Sequence, residues 1–173
     1  CPSSIVTGDI DGDGDLDLLV TTLNRVPAAD TPVSEASRIG APDLLLLNDG
    51  DGFTLGAELI RQGAAGLAFL GAFTDRDGDG DLDLLVTSDR PENGLPPSAF
   101  YANEGLDADG LPILRDVMDT LAVDPYISGM GLGSADLNDD GLLDYCISDV
   151  APALRCWISD VVGYVESAVT MGL

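Results

Sequence analysis

The sequence predicts an all-β fold of three repeated four-stranded antiparallel units, and three observations predict it. An aspartate-rich loop occurs three times, as "DIDGDGDLD" at 9–17, "DRDGDGDLD" at 75–83 and "DLNDDGLLD" at 136–144. Each loop runs directly into a short aliphatic or β-branched segment, "LDLLVTT", "LDLLVTS" or "LLDYCIS", with the length and make-up of a buried strand. Between the loops, glycine, proline and aspartate punctuate further strand-like runs, and no segment sustains a helical apolar period. The first aspartates, Asp9, Asp75 and Asp136, stand 66 and 61 residues apart, a repeat length that defines an architecture rather than a local motif.

The strands follow in sets of four. The first unit reads as strands near 4–9, 16–22, 43–48 and 53–60, the second near 67–74, 82–88, 98–103 and 111–117, and the third near 130–136, 142–148, 154–159 and 163–170. Units of this size and strand number are what propeller blades look like. The predicted fold is therefore a β-propeller segment of three four-stranded antiparallel blades, spanning 1–62, 63–124 and 125–173, with the acidic loops joining strands one and two of each blade.

Composition restricts the chemistry. The chain has 173 residues with 45% hydrophobic content, enough for a core at single-domain size. Its seven basic residues are all arginine, set against 31 acidic ones for a net charge of −24, with no lysine or histidine. Nucleic acid and anionic membrane would be repelled. A Ser-His-Asp triad, a Schiff-base amine, a P-loop lysine and histidine-ligated zinc are all excluded. No apolar run approaches the roughly 20 residues that span a bilayer.

Of 26 aspartates, 14 lie in the three loops, so the acidity is a local, repeated device. Like charges this dense are tolerated mainly where a cation sits among them. Each loop reads D-x-[DN]-x-D-G-x-x-D. Asp9, Asp11, Asp13 and Asp17 offer side-chain oxygens at positions one, three, five and nine, and Gly14 permits the turn that aims them at one point. Asp15, at position seven, offers its backbone carbonyl. The second loop repeats this with Asp75, Asp77, Asp79, Asp81 and Asp83, and the third with Asp136, Asn138, Asp140, Leu142 and Asp144. Leu142 supports the backbone assignment at position seven, since a leucine side chain cannot ligate. All-oxygen ligation by a flexible loop suits Ca²⁺ better than Mg²⁺, which demands a tight octahedron. An EF-hand would need a bidentate glutamate at position twelve, where this chain has Val20, Val86 and Ile147.

These loops, together with "GDIDGDGDLDLLV", "FTDRDGDGDLDLLV" and "GMGLGSADLNDDGLLDYCIS", resemble the FG-GAP or VCBS repeats of integrin α-subunit β-propellers, and more closely their bacterial and cartilage-acidic-protein relatives. The resemblance implies that each loop joins the first two strands of a blade and binds Ca²⁺, with up to three structural ions. It departs from the pattern in lacking the Phe-Gly signature. It departs again in the third loop, where Asn138 and Asp139 replace Asp and Gly and imply a weaker or empty site.

Propellers close with four to eight blades, so three units imply a segment of a larger ring or completion by another copy or chain, with an open three-blade arc as the alternative. Alternate connections of a blade emerge at opposite ends. The end away from the acidic loops carries 23–42, 89–97, 149–153 and the links 61–66 and 118–129. Segment 23–42 is the first candidate for a protein or glycan ligand, the alternative being a solvated Pro/Ala/Ser-rich insertion, and Arg25, Arg38 and Arg90 are candidates for acidic groups. Cys146 and Cys156 flank a predicted hairpin and would face each other across two strands, which fits a cross-strand disulfide, the alternative being two core thiols. Cys1 is left over, as a lipid-modified terminus or a processing boundary.

The expected function is a non-enzymatic, calcium-binding scaffold for binding or adhesion on an extracellular or cell-surface protein. A carbohydrate-binding lectin is the alternative, using exposed aromatics such as Tyr126 or Trp157. A carboxylate-based polysaccharide-degrading enzyme is disfavoured because every obvious carboxylate cluster is assigned to metal.

Overall fold

The computed structural model describes residues 1–23, 41–59, 66–89, 91, 95–150, 154–160 and 163–166. Twelve strands occur in chain order: β1 (Pro2–Gly8), β2 (Asp17–Thr22), β3 (Asp43–Asn48), β4 (Phe53–Leu59), β5 (Ala68–Thr74), β6 (Asp83–Ser88), β7 (Ala99–Leu106), β8 (Pro112–Asp116), β9 (Gly129–Ala135), β10 (Asp144–Asp149), β11 (Leu154–Asp160) and β12 (Gly163–Glu166). They form three four-stranded antiparallel sheets, each a meander of four consecutive strands. The only helical element among the described residues is a single 3₁₀ turn, Met118–Thr120.

The sheets stack through two cores. Leu19, Leu45 and Leu47 of the first sheet pack against Leu84, Val86 and Tyr101 of the second. Leu85 and Phe100, on the opposite face of the second sheet, pack against Tyr145, Ile147 and Trp157 of the third. The middle sheet is thus covered on both faces, and each of the six residues of β6 is buried, whereas the near-identical β2 alternates along most of its length. Burial of these aliphatic faces, at about 25 cal/mol per Å² of apolar area, supplies the main force that stacks one sheet on the next.

The first strands of successive sheets approach closely, with β1 against β5 and β5 against β9. Glycine makes this possible. A Cβ at Gly71 would lie 2.7 Å from a Leu19 methyl, and one at Gly8 would lie 2.4 Å from the Phe73 ring. Polar bonds cross the same seams. Ser3 Oγ donates to the Ala68 carbonyl at 2.7 Å, and the hydroxyls of Thr74 and Tyr145 bond at 2.7 Å.

The strands fall within a few residues of their predicted ranges. Among the described residues the largest difference is in β7, which runs on to Leu106, and the predicted strand positions 60 and 167–170 lie outside the described residues. The link 118–129 departs from its expected place at the end away from the acidic loops. Val117, Met118, Leu121 and Ile127 are buried in the second core, and Thr120 and Leu121 line a cleft with Arg76, Asp77 and Leu142 at the loop end. Apolar side chains at these positions draw the link into the wedge between sheets. Arg25, Arg38 and Arg90, and most of 23–42, lie outside the described residues. Cys146 and Cys156 are directly paired across β10 and β11 and form a disulfide, while Cys1 is exposed. Trp157 is 0% exposed because it sits on the face of β11 that packs against the second sheet, so it is not available to stack on a sugar.

Candidate metal centre

The three acidic loops occupy the β1–β2, β5–β6 and β9–β10 connections, where hairpin geometry brings both ends of each loop together. Their internal bonding repeats. The position-one carboxylate accepts backbone N–H groups from within the turn: Gly12 and Gly14 donate to Asp9 at 2.8 and 3.0 Å, and Gly78 and Gly80 donate to Asp75 at 2.8 and 3.2 Å. In the third loop Asp140 and Gly141 donate to Asp136 at 3.2 and 2.9 Å. The turn demands left-handed backbone twice, at positions four and six. Gly12, Gly14, Gly78, Gly80 and Gly141 supply it with φ between 74° and 98°, whereas the third loop places Asp139 there at φ 61°, a conformation that costs a residue with a Cβ.

The position-nine aspartate has a role that its ligand assignment alone does not convey. Asp17 is fully buried. It accepts the Ile10 N–H at 2.8 Å on one oxygen and the Asn48 N–H at 2.9 Å on the other. Asp83 does the same with Arg76 and Asn103, and Asp144 with Leu137 and Ser159. Each therefore ties the start of its loop to strand three of its own sheet. The recurrent Asn48 and Asn103 at the ends of "DLLLLN" and "SAFYAN" are the sequence signal for this tie.

Two loops converge their carboxylates. Asp9, Asp11 and Asp17 offer oxygens within 4.8 Å of one another, as do Asp75, Asp77 and Asp79. Asp13 stands outside the first triad and Asp83 outside the second. Asp13 Oδ1 accepts the Asp15 N–H at 2.8 Å, and Asp79 does likewise for Asp81 at 2.9 Å. Carboxylates retain about four acceptor sites each, so these bonds leave oxygen lone pairs to meet a cation. The Asp11 carboxyl is pushed above its ordinary value, first by burial and further by the charges of Asp17, Asp13 and Asp9. A divalent cation relieves both effects.

The second loop already holds a cation of its own. Arg76 pairs with Asp77 through Nη2 and lies 3.7 Å from Asp83 through Nε, with its guanidinium over the Phe100 ring. The third loop is arranged differently again. Asn138 Nδ2 donates to Asp140 at 2.9 Å and to the Ser159 carbonyl at 3.1 Å, and Ser159 Oγ donates to Asp140 at 2.7 Å. Asp140 is held below its usual range by these donors, the Ser159 hydroxyl foremost. In the third loop, side-chain donors from Asn138 and Ser159 thus already occupy the position-five carboxylate.

A stack of four-stranded antiparallel meanders with an acidic loop between the first two strands of each defines a β-propeller-type repeat segment. Residues 2–28 match the model of the FG-GAP repeat. The matched residues take in the first acidic loop, whose pattern recurs at 75–83 and 136–144. No curated protein matches the chain. Among the described residues, no helix is long and apolar enough to cross a membrane.

Proposed function

We propose that this chain is a calcium-binding propeller module of an extracellular or cell-surface protein, working as a binding or adhesion scaffold. The observation that carries this reading is the convergence of Asp9, Asp11 and Asp17 and of Asp75, Asp77 and Asp79. Three carboxylates on a glycine-permitted turn are a hard-oxygen donor set of the kind Ca²⁺ takes. Asp9, Asp11, Asp13 and Asp17 would hold the first ion with the Asp15 carbonyl. Asp75, Asp77, Asp79 and Asp83 would hold the second with the Asp81 carbonyl, and Asp136, Asn138, Asp140 and Asp144 the third with that of Leu142. Calcium is structural in this reading: it neutralises the loop and fixes the turn from which β2, β6 or β10 begins.

The sites rank. Loop one has the convergent triad and no internal cation, loop two has Arg76 on Asp77, and loop three has Asn138 and Ser159 on Asp140. Affinity therefore falls in that order, within the roughly 10⁻⁴ to 10⁻³ M range of extracellular modules. The disulfide accords with an oxidising compartment. The ligand, protein or glycan, would meet the end away from the acidic loops. Of the two aromatics expected for a lectin, burial of Trp157 leaves Tyr126, 55% exposed, and the other well-exposed ring among the described residues is Phe53 at the start of β4; two scattered rings favour a protein ligand over a stacked sugar.

Calorimetric titration with Ca²⁺ and Mg²⁺, with thermal melts in each ion and in chelator, tests the metal assignment. Expected are Ca²⁺-selective heat and a melting temperature raised by Ca²⁺. Absence of both defeats it. A glycan array then separates lectin from protein-binding scaffold.

A further inference from the structure

Arg76 takes the second position of the second acidic loop, where the first loop has Ile10, and each donates its backbone N–H to the position-nine aspartate of its own loop, Asp83 or Asp17. Ile10 is an apolar plug, 3% exposed and packed between the first and second sheets. Arg76 likewise turns toward the next sheet, with its guanidinium 5.9 Å from the centroid of Phe100, a ring of the core between the second and third sheets. Unlike isoleucine it brings a charge there that it cannot shed. We propose that Arg76 is a built-in competitor for the second cation position: its guanidinium holds Asp77 while the loop is empty, and entry of Ca²⁺ transfers it into the cleft between the second and third sheets. This rests on the calcium reading and adds how that site is regulated.

Three observations carry it. The first is what Arg76 holds. Asp77 belongs to the convergent set Asp75, Asp77 and Asp79 and pairs with Arg76 Nη2, so an ion on that set would stand beside a guanidinium and be repelled by it. The second is how weakly it holds. The Arg76 side chain is 17% exposed, yet among the described residues its guanidinium donates one hydrogen bond, to Asp77, and Nε is buried without an acceptor, 3.7 Å from Asp83. A single charge-assisted bond is exchangeable in a way that a bidentate clamp is not.

The third is that the guanidinium has a place to go. In the first seam Asn103 Nδ2 fills the space beside Ile10 by donating to its carbonyl at 3.0 Å. Ser159 is the equivalent of Asn103 in the third sheet, since each gives its N–H to the position-nine aspartate of its sheet. Its shorter side chain turns into its own loop, toward Asp140 and Asp144, and the Arg76 carbonyl is met instead by the Tyr164 hydroxyl at 3.5 Å. The second seam is therefore open here, as a cleft of about 370 Å³ with Arg76 and Asp77 on one wall and Leu121, Tyr164 and Asp160 on the other. Asp160 offers the displaced guanidinium a second carboxylate, and Leu121 and Tyr164 cover its methylene stem. Calcium in the second loop is thereby felt between the second and third sheets, a coupling that the first loop, with Ile10, lacks.

Titration calorimetry with Ca²⁺ tests this, the second-loop step being the one that D77N removes. R76I, which copies the first loop, and R76Q, which keeps the length without the charge, should each tighten that step at least about tenfold, the order expected when a unit charge leaves the side of a divalent one. D160N should weaken the step in the parent and leave it unchanged in R76I, which separates transfer of the guanidinium from a general loss of negative charge. The Arg76 Nε–Hε magnetic-resonance signal, identified by its absence from R76I and R76Q, should move as the step fills. Ca²⁺ heat in the parent without tightening in either Arg76 variant, equal weakening by D160N in both backgrounds, or an Arg76 signal that stays in place while the step fills overturns the proposal and leaves the calcium reading standing. No Ca²⁺ heat in the parent or in any variant overturns both.

Discussion

Asn103 donates through Nδ2 to the carbonyl of Ile10 at 3.0 Å, joining strand three of the second sheet to the acidic loop of the first across 93 residues of sequence. The same amide is held by the Leu82 carbonyl and accepts the Gly105 N–H through its oxygen, so it fastens two sheets and a turn at one buried point. Asn103→Ala should lower unfolding free energy by about 1–3 kcal/mol, the range for leaving buried polar groups unpaired. Asn48→Ala, which removes the same local bonds but no seam bond among the described residues, should cost less. Urea denaturation of the two variants decides it; equal losses would refute a seam role for Asn103.

Asp11 and Asp17 separate metal binding from folding. Asp11→Asn should weaken Ca²⁺ binding by at least tenfold and leave the chelated protein as stable as before or more so, because burial and like charge already disfavour that carboxylate. Asp17→Asn should weaken Ca²⁺ binding and also destabilise the chelated protein by about 1–3 kcal/mol, because Asp17 is buried and accepts two backbone donors. Denaturation in chelator beside calorimetric titration reads both effects.

How far the sequence reveals this molecule depends on what each residue faces. The strands were legible because the acidic loops mark where β2, β6 and β10 begin and because aliphatic runs end at glycine, proline or aspartate. Cys146 and Cys156 were legible because a hairpin between them fixes their register. What could not be read was facing between sheets. The stretch "DLLVT" occurs in both β2 and β6, yet Leu18 is half-buried and Leu84 is 0% exposed, since among the described residues only the second sheet packs against a sheet on each face. The same blindness made Trp157 a candidate surface aromatic and hid the buried path of 117–121. Within the loops, residue spacing named candidate oxygen donors but not the difference between Asp11, facing other carboxylates, and Asp140, facing Asn138 and Ser159.

The third loop should be convertible. Asn138→Asp replaces an amide that donates to Asp140 and to the Ser159 carbonyl with a fourth carboxylate beside those of Asp136, Asp140 and Asp144, and Asp139→Gly relieves a positive φ of 61°. The double variant should bind its third Ca²⁺ at least tenfold more tightly by calorimetry. In chelator the Asn138 change alone should destabilise the protein, whereas Asp139→Gly alone should stabilise or be neutral within about 1 kcal/mol. Unchanged affinity at the third site of the double variant would show that the loop backbone, rather than its donors, is limiting.

The disulfide should contribute folding stability through the unfolded chain. Cys146–Cys156 closes a short loop of sequence separation 10, for which loop-closure entropy gives about 2–3 kcal/mol. The Cys146→Ala, Cys156→Ala pair of changes should lower the denaturation midpoint accordingly, and reducing agent should lower that of the parent but not of the variant.

The pH dependence of stability should reverse sign with calcium. Burial is the main reason that Asp11 and Asp83 hold their carboxyls above the ordinary value of 3.8. The folded state then binds protons more readily than the unfolded chain, so their contribution is fully present below the unfolded value and is lost as pH rises through the raised folded value. Asp140 runs the other way: held low chiefly by the Ser159 hydroxyl, it contributes above the unfolded value and loses that contribution as pH falls through its lowered one. In chelator the melting temperature should therefore rise as pH falls from neutral into the upper carboxylate range, then drop at more acid pH. In saturating Ca²⁺ a proton on Asp11 competes with the ion, so the same acidification should lower it. Melts at a series of pH values with and without Ca²⁺ test the sign, and parallel curves would mean that Asp11 faces no cation in the folded protein.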